Sequence, residues 1–208
     1  MPDRDIRAIF FDFGGVLLKT FDGVDHAGIE ERFGLEPKSL RLMVYRDSRY
    51  LDLQVGKCTY DEWVDSVRAA MDAQVPDRAG AVLQAFFEAD HPLNQDMVGL
   101  VRRLHGRYKL GIISNTIPGM EERMLERIPD LIHLFDVRIG SGDAGMAKPD
   151  PAIFLHAAQL AGVAPNQSVF TDDYHKHAEA ARGVGMHAFH FTGYDQFVED
   201  LRSIGVEA

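Results

Sequence analysis

Four positions in this chain carry residue types that could act together on a phosphate group. Asp12, Ser114 and the pair Asp172 and Asp173 each come after a short apolar run, and Lys148 lies in a glycine-rich loop that follows another such run. Three carboxylates brought together repel one another unless a cation neutralises them, and Mg²⁺ suits one or two carboxylates plus a substrate phosphate. A carboxylate can attack phosphorus, while a lysine and a hydroxyl neutralise and hold the transferring group. If these positions meet in the fold, they predict phosphoryl transfer with Mg²⁺.

The apolar runs before these residues predict strands of one parallel sheet. They lie at 6–11, 108–113, 135–139 and 168–170, with a fifth at 187–191. Strands that alternate with helical patterns favour a parallel sheet covered by helices. Ligands of such sheets bind beyond the carboxyl ends of the strands. We therefore expect the four positions to meet at one edge of the sheet, with Lys148 carried there by the loop at 140–149.

Each position also has an ordinary structural interpretation when it is taken alone. Asp12 and residues 114–116 could each cap a helix or fix a turn. Lys148 could be a solvated loop lysine, and Asp172 with Asp173 could open a helix, where acidic residues suit the dipole. Their occurrence at four successive strand ends favours a shared site. Because the single Asp comes first and the acidic pair last, a response-regulator receiver, which has the reverse order, is excluded.

The composition is typical of a globular protein with a buried core. The 208 residues are 46% hydrophobic and 26% charged, and the net charge of −10 argues against binding nucleic acid or an anionic membrane through bulk charge. Cys58 is the one cysteine, which excludes an intrachain disulfide and a thiolate metal cluster. No secretory pattern is visible, and no apolar run approaches the ~20 residues of a membrane span. We expect a cytoplasmic protein.

A long segment after the first strand has helical spacing and no strand signal, which predicts an all-helical insert. Thr59 and Glu62 have capping-box spacing and predict the start of a helix within it. Trp63 and Val67 follow at helical spacing and are predicted to lie in the core of the insert. The predicted boundaries are 1–18 and 92–208 for the sheet domain and 19–91 for the insert.

Four segments resemble the motifs of the haloacid dehalogenase (HAD) superfamily, in the same order. They are FDFGGVL at 11–17, ISNT at 113–116, KPDP at 148–151 and FTDD at 170–173. Residues 56–63, GKCTYDEW, resemble the cap segment of the phosphatase-like branch, in which a helical cap follows the first motif. The resemblance implies an α/β fold with a Rossmann-like, three-layer parallel-sheet core and an all-helical cap. It also implies a hydrolase, and more narrowly a phosphomonoesterase that acts on a small phosphorylated metabolite.

The resemblance implies how the phosphate would be handled. Asp12 would be the nucleophile and would form an aspartyl-phosphate. Ser114 would bind the phosphate, Asn115 would help to bind the phosphate or the substrate, and Lys148 would bind the phosphate and stabilise charge.

The resemblance also implies a set of Mg²⁺ ligands. Asp12 and Asp173 would bind the ion directly. Asp172, beside Asp173, would either bind the ion or lie just outside its ligands. The backbone carbonyl of Gly14 would complete the protein's share of the ligands.

Gly14 departs from the usual motif, in which a second Asp at this place protonates the leaving group and later activates water. A general acid of this kind typically contributes about 10²–10⁴-fold. The branch with Gly here includes working phosphatases. We hypothesise that the natural leaving group needs little protonation, as in a sugar anomeric, acyl or aryl phosphate. A second hypothesis is that Asp22, Asp25 or His26 supplies the acid.

Other residues have two interpretations at this stage. His177 stands where this branch often has Asn, and we interpret it as a helix histidine near the site, with a metal ligand as the less favoured alternative. Tyr45, Tyr50, Arg46 and Arg49 of the insert could line the substrate pocket or be ordinary core and surface residues.

Two rival functions follow from the same residues. A 2-haloacid dehalogenase needs no Mg²⁺ and has Tyr at the place of Gly14, so the acidic pair argues against it. A non-catalytic protein could keep the Mg²⁺ and phosphate pocket as a ligand sensor, and Gly14 favours that function. The retained nucleophile, serine, lysine and acidic pair favour catalysis.

Overall fold

The computed structural model describes residues 5–20, 26–45 and 47–208, so Asp22, Asp25 and Arg46 lie outside the described residues. The described chain contains a five-stranded sheet in which all neighbouring strands are parallel. Its strands are β1 (Ala8–Phe11), β2 (Lys109–Ser114), β3 (Val137–Gly140), β4 (Ser168–Asp172) and β5 (His187–His190). All five predicted strands are confirmed, each with its ends shifted by no more than two residues.

The strand order is β3-β2-β1-β4-β5, so the chain reverses direction across the sheet after β3 and returns to the other side of β1. In open parallel sheets, a ligand crevice forms where the order reverses, outside the carboxyl ends of the strands. The carboxyl ends of β1, β2 and β4 therefore form the natural site of this fold.

Helices cover both faces of the sheet and form a separate group between β1 and β2. They are α1 (His26–Phe33), α2 (Ser39–Tyr45), α3 (Ser48–Leu53), α4 (Tyr60–Asp72), α5 (Ala79–Glu88), α6 (Gln95–Leu104), α7 (Met120–Arg127), α8 (Pro129–Ile132), α9 (Ser141–Ala144), α10 (Pro151–Ala161), α11 (His175–Gly183) and α12 (Tyr194–Ser203). None of these helices is long and apolar enough to cross a lipid bilayer, within the ranges that the structure describes.

Two hydrophobic clusters hold the three layers together, because side chains alternate between the faces of a strand. Ile9 and Phe11 of β1 belong to the cluster that includes α6, α7, α8 and α12. Ala8 and Phe10, on the opposite face, belong to the cluster that includes α10 and α11. The predicted three-layer α/β core is confirmed.

Helices α1 to α5 share a third hydrophobic cluster of their own. Trp63 and Val67 are buried in it, as predicted. The predicted capping box is also confirmed, since the Glu62 N–H donates to Thr59 Oγ1 at 3.2 Å and the Thr59 N–H donates to Glu62 Oε2 at 2.8 Å. We call this helical group the cap. Ile117 of the core packs against its cluster.

The two connections between cap and core run side by side. Leu18 and Leu93 form an antiparallel bridge, and the Lys19 N–H donates to the Pro92 carbonyl at 2.8 Å. These pairings coincide with the predicted boundaries at 18/19 and 91/92, and the division into two domains stays a prediction.

The segment 140–149, predicted as a loop, contains the short helix α9. Tertiary contacts hold it in place: Ser141 Oγ accepts from the Thr116 N–H at 2.9 Å, and Asp143 accepts from the Gly119 N–H at 2.7 Å. A Cβ at Gly142 would lie 2.4 Å from Pro118 N, so only glycine lets the two segments approach this closely. Contacts between distant segments, rather than local propensity, create this element.

Candidate active site

Asp12 directly follows β1 at the carboxyl edge of the sheet and is nearly buried, with 8% of its surface exposed. Its N–H donates to the Thr171 carbonyl at 2.9 Å, and its Oδ1 accepts from the Phe13 N–H at 2.7 Å. Ser114 ends β2 at the same edge, two residues after Ile112, which pairs with Phe11. The Ser114 hydroxyl makes no hydrogen bond with any described residue, which leaves it available to a ligand.

Lys148 connects two carboxylates at the centre of this edge. Its Nζ lies 3.0 Å from Asp12 Oδ1 and 2.5 Å from Asp172 Oδ2, and its side chain is fully buried. An ammonium buried without partners would be expensive, so both carboxylates are needed to keep it there. Lys148 is therefore held in a fixed place beside the predicted nucleophile.

Asn115 fixes the backbone of Lys148. Its Nδ2 donates to the Lys148 carbonyl at 2.8 Å, and its Oδ1 accepts from the Lys148 N–H at 2.8 Å. This reciprocal pair ties the end of β2 to the loop before α10. The geometry gives Asn115 a positioning contact, and its predicted part in phosphate or substrate binding stays a prediction.

Asp172 is completely buried and is surrounded by donors. Besides Lys148 Nζ, its carboxylate accepts from the Tyr174 N–H at 2.8 Å and lies 3.1 Å from His177 Nδ1 through each oxygen. Because a carboxylate can only accept, His177 Nδ1 carries a proton. His177 thus lies at the site, as interpreted from the sequence, with its ring nitrogen on Asp172.

Asp173 has the opposite environment, although it is the next residue. Its Oδ1 is buried and has no hydrogen-bond partner among the described residues. One carboxylate oxygen from each of Asp12, Asp172 and Asp173 lies within 4.8 Å of the other two. An unpaired buried carboxylate oxygen beside two further acids is the donor set that a hard divalent cation such as Mg²⁺ requires. The residues present fit the ion.

Gly15 makes room for that carboxylate. It has a φ of +83°, and a Cβ there would lie 2.2 Å from Asp173 Oδ2. Any other residue would both strain the backbone and displace the carboxylate. The second glycine of the first motif is therefore required by the position of Asp173.

Burial dominates the electrostatics of Asp12 and Asp173 in the absence of a metal ion. It raises the pKa of Asp12 to about 7, with Lys148 opposing the rise and Asp172 adding to it. Burial and the Asp172 charge also raise the pKa of Asp173 to about 6. The contacts of Asp172 with Lys148 and His177 outweigh burial and hold the pKa of Asp172 below its usual value. Burial opposes the charged form of Lys148, but the two carboxylates keep its pKa above the usual value.

One face of the cap lies within electrostatic reach of the site. The Arg41 charge opposes part of the rise in the Asp173 pKa. Burial raises the pKa of Tyr50, with smaller contributions from Tyr45, Tyr174 and Asp12. The Arg41 guanidinium lies 5.6 Å from the centre of the Tyr45 ring, and the Tyr45 and Tyr50 rings are 5.1 Å apart.

Sequence reasoning named Tyr45 and Tyr50 but missed Arg41. Its position one helical turn before Tyr45 was an available signal, because residues four apart share a helix face. Arg49 interacts within the cap, where it lies 4.0 Å from Glu62. His26 stacks on Phe86 with ring centres 5.4 Å apart, and its proposed role as an acid stays a prediction.

The model of the haloacid dehalogenase-like hydrolase family matches residues 6–185, from the approach to β1 to the turn after α11. The chain belongs to this family. The sequence resemblance to the HAD superfamily is thereby confirmed, and so is the assignment as a hydrolase. The four motif segments of this HAD-like hydrolase all lie within the matched residues.

Curated relatives include phosphatases. The HAD-like hydrolase is 29% identical over 151 residues to a phosphoglycolate phosphatase of Pseudomonas putida, covering 65% of this chain and 56% of that protein. It is 24% identical over 215 residues to bifunctional epoxide hydrolase 2 of Sus scrofa, covering 96% of this chain and 39% of that protein. The chain thus spans less than two thirds of the length of either relative.

Solved structures share the fold. A HAD family enzyme of Bacteroides thetaiotaomicron, in complex with magnesium and inorganic phosphate, has a TM-score of 0.66 and 22% identity, covering 88% of this chain and 93% of that one. L-2-haloacid dehalogenase of Xanthobacter autotrophicus has a TM-score of 0.65 and 18% identity, covering 98% and 85%. At these identities the likeness shows the fold alone, so the chemistry depends on the residues of the site.

Proposed function

We propose that this HAD-like hydrolase is a Mg²⁺-dependent phosphomonoesterase that acts on a small phosphorylated metabolite through an aspartyl-phosphate on Asp12. The observation that carries the proposal is the buried, unpartnered Oδ1 of Asp173 beside Asp12 and the Lys148 ammonium. The phosphatase and the magnesium–phosphate complex among the compared proteins support the same class of reaction.

Asp12, Asp173 and the Gly14 carbonyl are the groups that would hold Mg²⁺. Asp172 is less available, because Lys148, Tyr174 and His177 already occupy its oxygens. Bound there, the ion would neutralise the carboxylates and the negative charge of the phosphate.

Asp12, Lys148 and Ser114 would each have a separate role in phosphoryl transfer. The ionised Asp12 carboxylate would attack phosphorus, and the bond to the leaving oxygen would break as the bond to Asp12 forms. Lys148 would balance charge on the carboxylate and on the transferring group, and the Ser114 hydroxyl would donate to a phosphate oxygen. Attack of water on phosphorus would then break the bond between phosphorus and Asp12, which releases inorganic phosphate and a proton and restores the Asp12 carboxylate.

Gly14 offers no acid to the leaving group. We propose that the natural substrate has a leaving group that needs little protonation. A series from aryl to alkyl phosphates would then show a steep fall in rate, and a flat series would contradict this part of the proposal. A Cβ at Gly14 would be 3.4 Å from Thr20 Cγ2, an ordinary contact, so Gly14→Asp is a feasible variant. We expect it to speed alkyl phosphates by about tenfold or more.

Hydrolysis of p-nitrophenyl phosphate, measured with Mg²⁺ and with a chelator, tests the class of reaction. We expect activity that requires the ion and that Asp12→Asn abolishes, while Asp136→Asn, on the surface beside Lys109, leaves it intact. Binding of Mg²⁺ and phosphate without turnover would favour the sensor. Release of halide from a 2-haloacid without Mg²⁺ would favour the dehalogenase.

A further inference from the structure

His177 contacts two different groups of the site with two different parts of its ring. Its Nδ1 edge lies 3.1 Å from both oxygens of Asp172, the carboxylate that anchors Lys148. Its ring face stacks on Tyr174, with centres 5.3 Å apart and planes inclined by 28°. The side chain itself is buried, with 8% exposed. The edge contact with Asp172 is therefore shielded from water, and the two contacts together fix the orientation of the ring.

The edge contact completes the coordination of Asp172. One Asp172 oxygen accepts from Lys148 at 2.5 Å and the other from the Tyr174 N–H at 2.8 Å, while His177 spans the two. Removing the His177 N–H leaves a buried carboxylate short of one donor. The carboxylate could then rotate, and Lys148, which it holds 3.0 Å from Asp12, would lose its fixed position.

The face contact supports a side chain at the mouth of the site. Tyr174 directly follows Asp173, and 48% of its surface is exposed. The Tyr174 hydroxyl lies within electrostatic reach of Tyr45 and Tyr50 of the cap, because it adds to the rise that burial causes in the pKa of each. A planar alcohol that leaves phosphorus beside Asp12 would pack favourably on the exposed Tyr174 ring, since aromatic groups pair face to edge or offset.

We propose that His177 is a two-sided positioning residue: its Nδ1–H edge fixes the Asp172 carboxylate that anchors Lys148, and its ring face supports Tyr174 as a wall for phosphate esters with an aromatic or planar alcohol part. The inference deepens the proposed function and rests on it for its kinetic consequences. Asn can supply the edge contact, because its Nδ2 is as many bonds from the backbone as Nδ1 of His. Asn cannot supply the ring.

Two variants of His177 separate the contacts. His177→Asn keeps the donor and removes the ring, so KM for p-nitrophenyl phosphate should rise about three- to tenfold with kcat unchanged and KM for acetyl phosphate unchanged. His177→Phe keeps the ring and removes the donor, so kcat should fall about tenfold or more for both substrates with KM unchanged. Tyr174→Ala should match His177→Asn, and the double variant should add nothing.

His175→Asn is the matched control, because His175 lies on the same helix with 59% of its side chain exposed and contacts Glu179 and His190 instead. It should change neither constant. The two-sided role would be overturned if both His177 variants changed kcat and KM to the same extent. It would also be overturned if His177→Asn lowered kcat or raised KM for acetyl phosphate.

Two measurements keep the inference testable if His177→Phe does not fold or if the wild type proves inactive. Nitrogen-15 NMR of the wild type should show His177 with a proton on Nδ1, and a bare Nδ1 would overturn the edge contact. Calorimetry with Mg²⁺ should show that His177→Asn weakens binding of phenylphosphonate and not of methylphosphonate. Equal effects on the two phosphonates would overturn the proposed role of Tyr174 as a wall. Absence of turnover alone would overturn only the proposed function.

Discussion

The core side and the cap side of the site are built in different ways. On the core side, Lys148, Asp12, Asp172 and His177 are joined by contacts of 2.5 to 3.1 Å and are almost completely buried. On the cap side, Tyr45 and Tyr50 meet through rings 5.1 Å apart, and Tyr45 keeps 37% of its surface exposed.

This difference in burial and contact type suggests that the core side carries out the chemistry and that the cap side selects the substrate. Buried charges are tolerated only with specific partners at short distance, so few residue types can replace those of the core side. Aromatic packing tolerates many substitutions of similar size. The core side is therefore suited to one reaction, and the cap side is suited to adapt to different substrates.

The largest effect should come from removing the cation of the core side. Lys148→Met leaves the buried carboxylates of Asp12 and Asp172 without the cation they share, so we expect kcat to fall about 10²–10³-fold, together with a loss of about 3–5 kcal/mol of unfolding free energy. Steady-state kinetics and denaturant unfolding measure the two effects.

Lys109→Met is the matched control, since Lys109 pairs with Asp136 at 2.8 Å but has 57% of its side chain exposed. It should cost about 1 kcal/mol or less and leave kcat unchanged. Similar losses in the two variants would remove the distinction between the buried and the surface pair.

Crowding of Asp173 should have the next largest effect. Gly15→Ala places a methyl group 2.2 Å from the Asp173 carboxylate, so we expect kcat to fall with Mg²⁺ binding impaired. A displacement of about 1 Å at such a site can cost about 10²-fold in rate. Gly34→Ala, with a φ of +70° and open space around it, imposes similar strain without the contact. Loss of activity in both variants would show that strain, not crowding, is responsible.

Protonation should control Mg²⁺ binding on the core side. The raised pKa values, about 7 for Asp12 and about 6 for Asp173, mean that the metal-free fold retains protons that the unfolded chain releases. This contribution to stability is complete below the usual value of 3.8 and disappears as the pH rises through about 7. Mg²⁺ binds the ionised carboxylates, so its stabilising effect should grow over the same interval.

Melting temperatures with and without Mg²⁺ test this sign. We expect the gain from Mg²⁺ to be larger at about pH 8 than at about pH 5.5, with affinity differing by about tenfold or more. Asp173→Asn should lose most of the gain at both values. A larger gain at the acid value would contradict the assignment of these carboxylates as ligands.

The smallest effect should come from the cap side. Tyr50→Phe removes a hydroxyl within electrostatic reach of Asp12 and keeps the ring, so we expect KM to rise about threefold and kcat to stay constant. Tyr60→Phe is the control, because the Tyr60 ring packs on Trp63 and Phe87 in the outer part of the cap. A fall in kcat for Tyr50→Phe would show that a cap residue contributes to the chemical step.

The placement of the core-side residues could be predicted from the sequence because its signals are local. Asp12, Ser114 and the acidic pair each follow an apolar run, and parallel topology alone brings strand ends together. The environments of Asp172 and Asp173 could not be predicted, because two adjacent acids look alike until Lys148 and His177 contact one of them. Helix α9 and the place of Arg41 near the site were also not predicted, since both depend on contacts between distant segments.

The most direct test of the central claim is to look for phosphate on Asp12. The wild-type protein, mixed with p-nitrophenyl phosphate and Mg²⁺ and quenched with acid during turnover, is digested and analysed by mass spectrometry. We expect the peptide that contains Asp12 to carry one phosphoryl group, which is lost when Mg²⁺ is chelated and absent from Asp12→Asn. Hydrolysis that continues while this peptide stays unmodified throughout turnover would contradict the account.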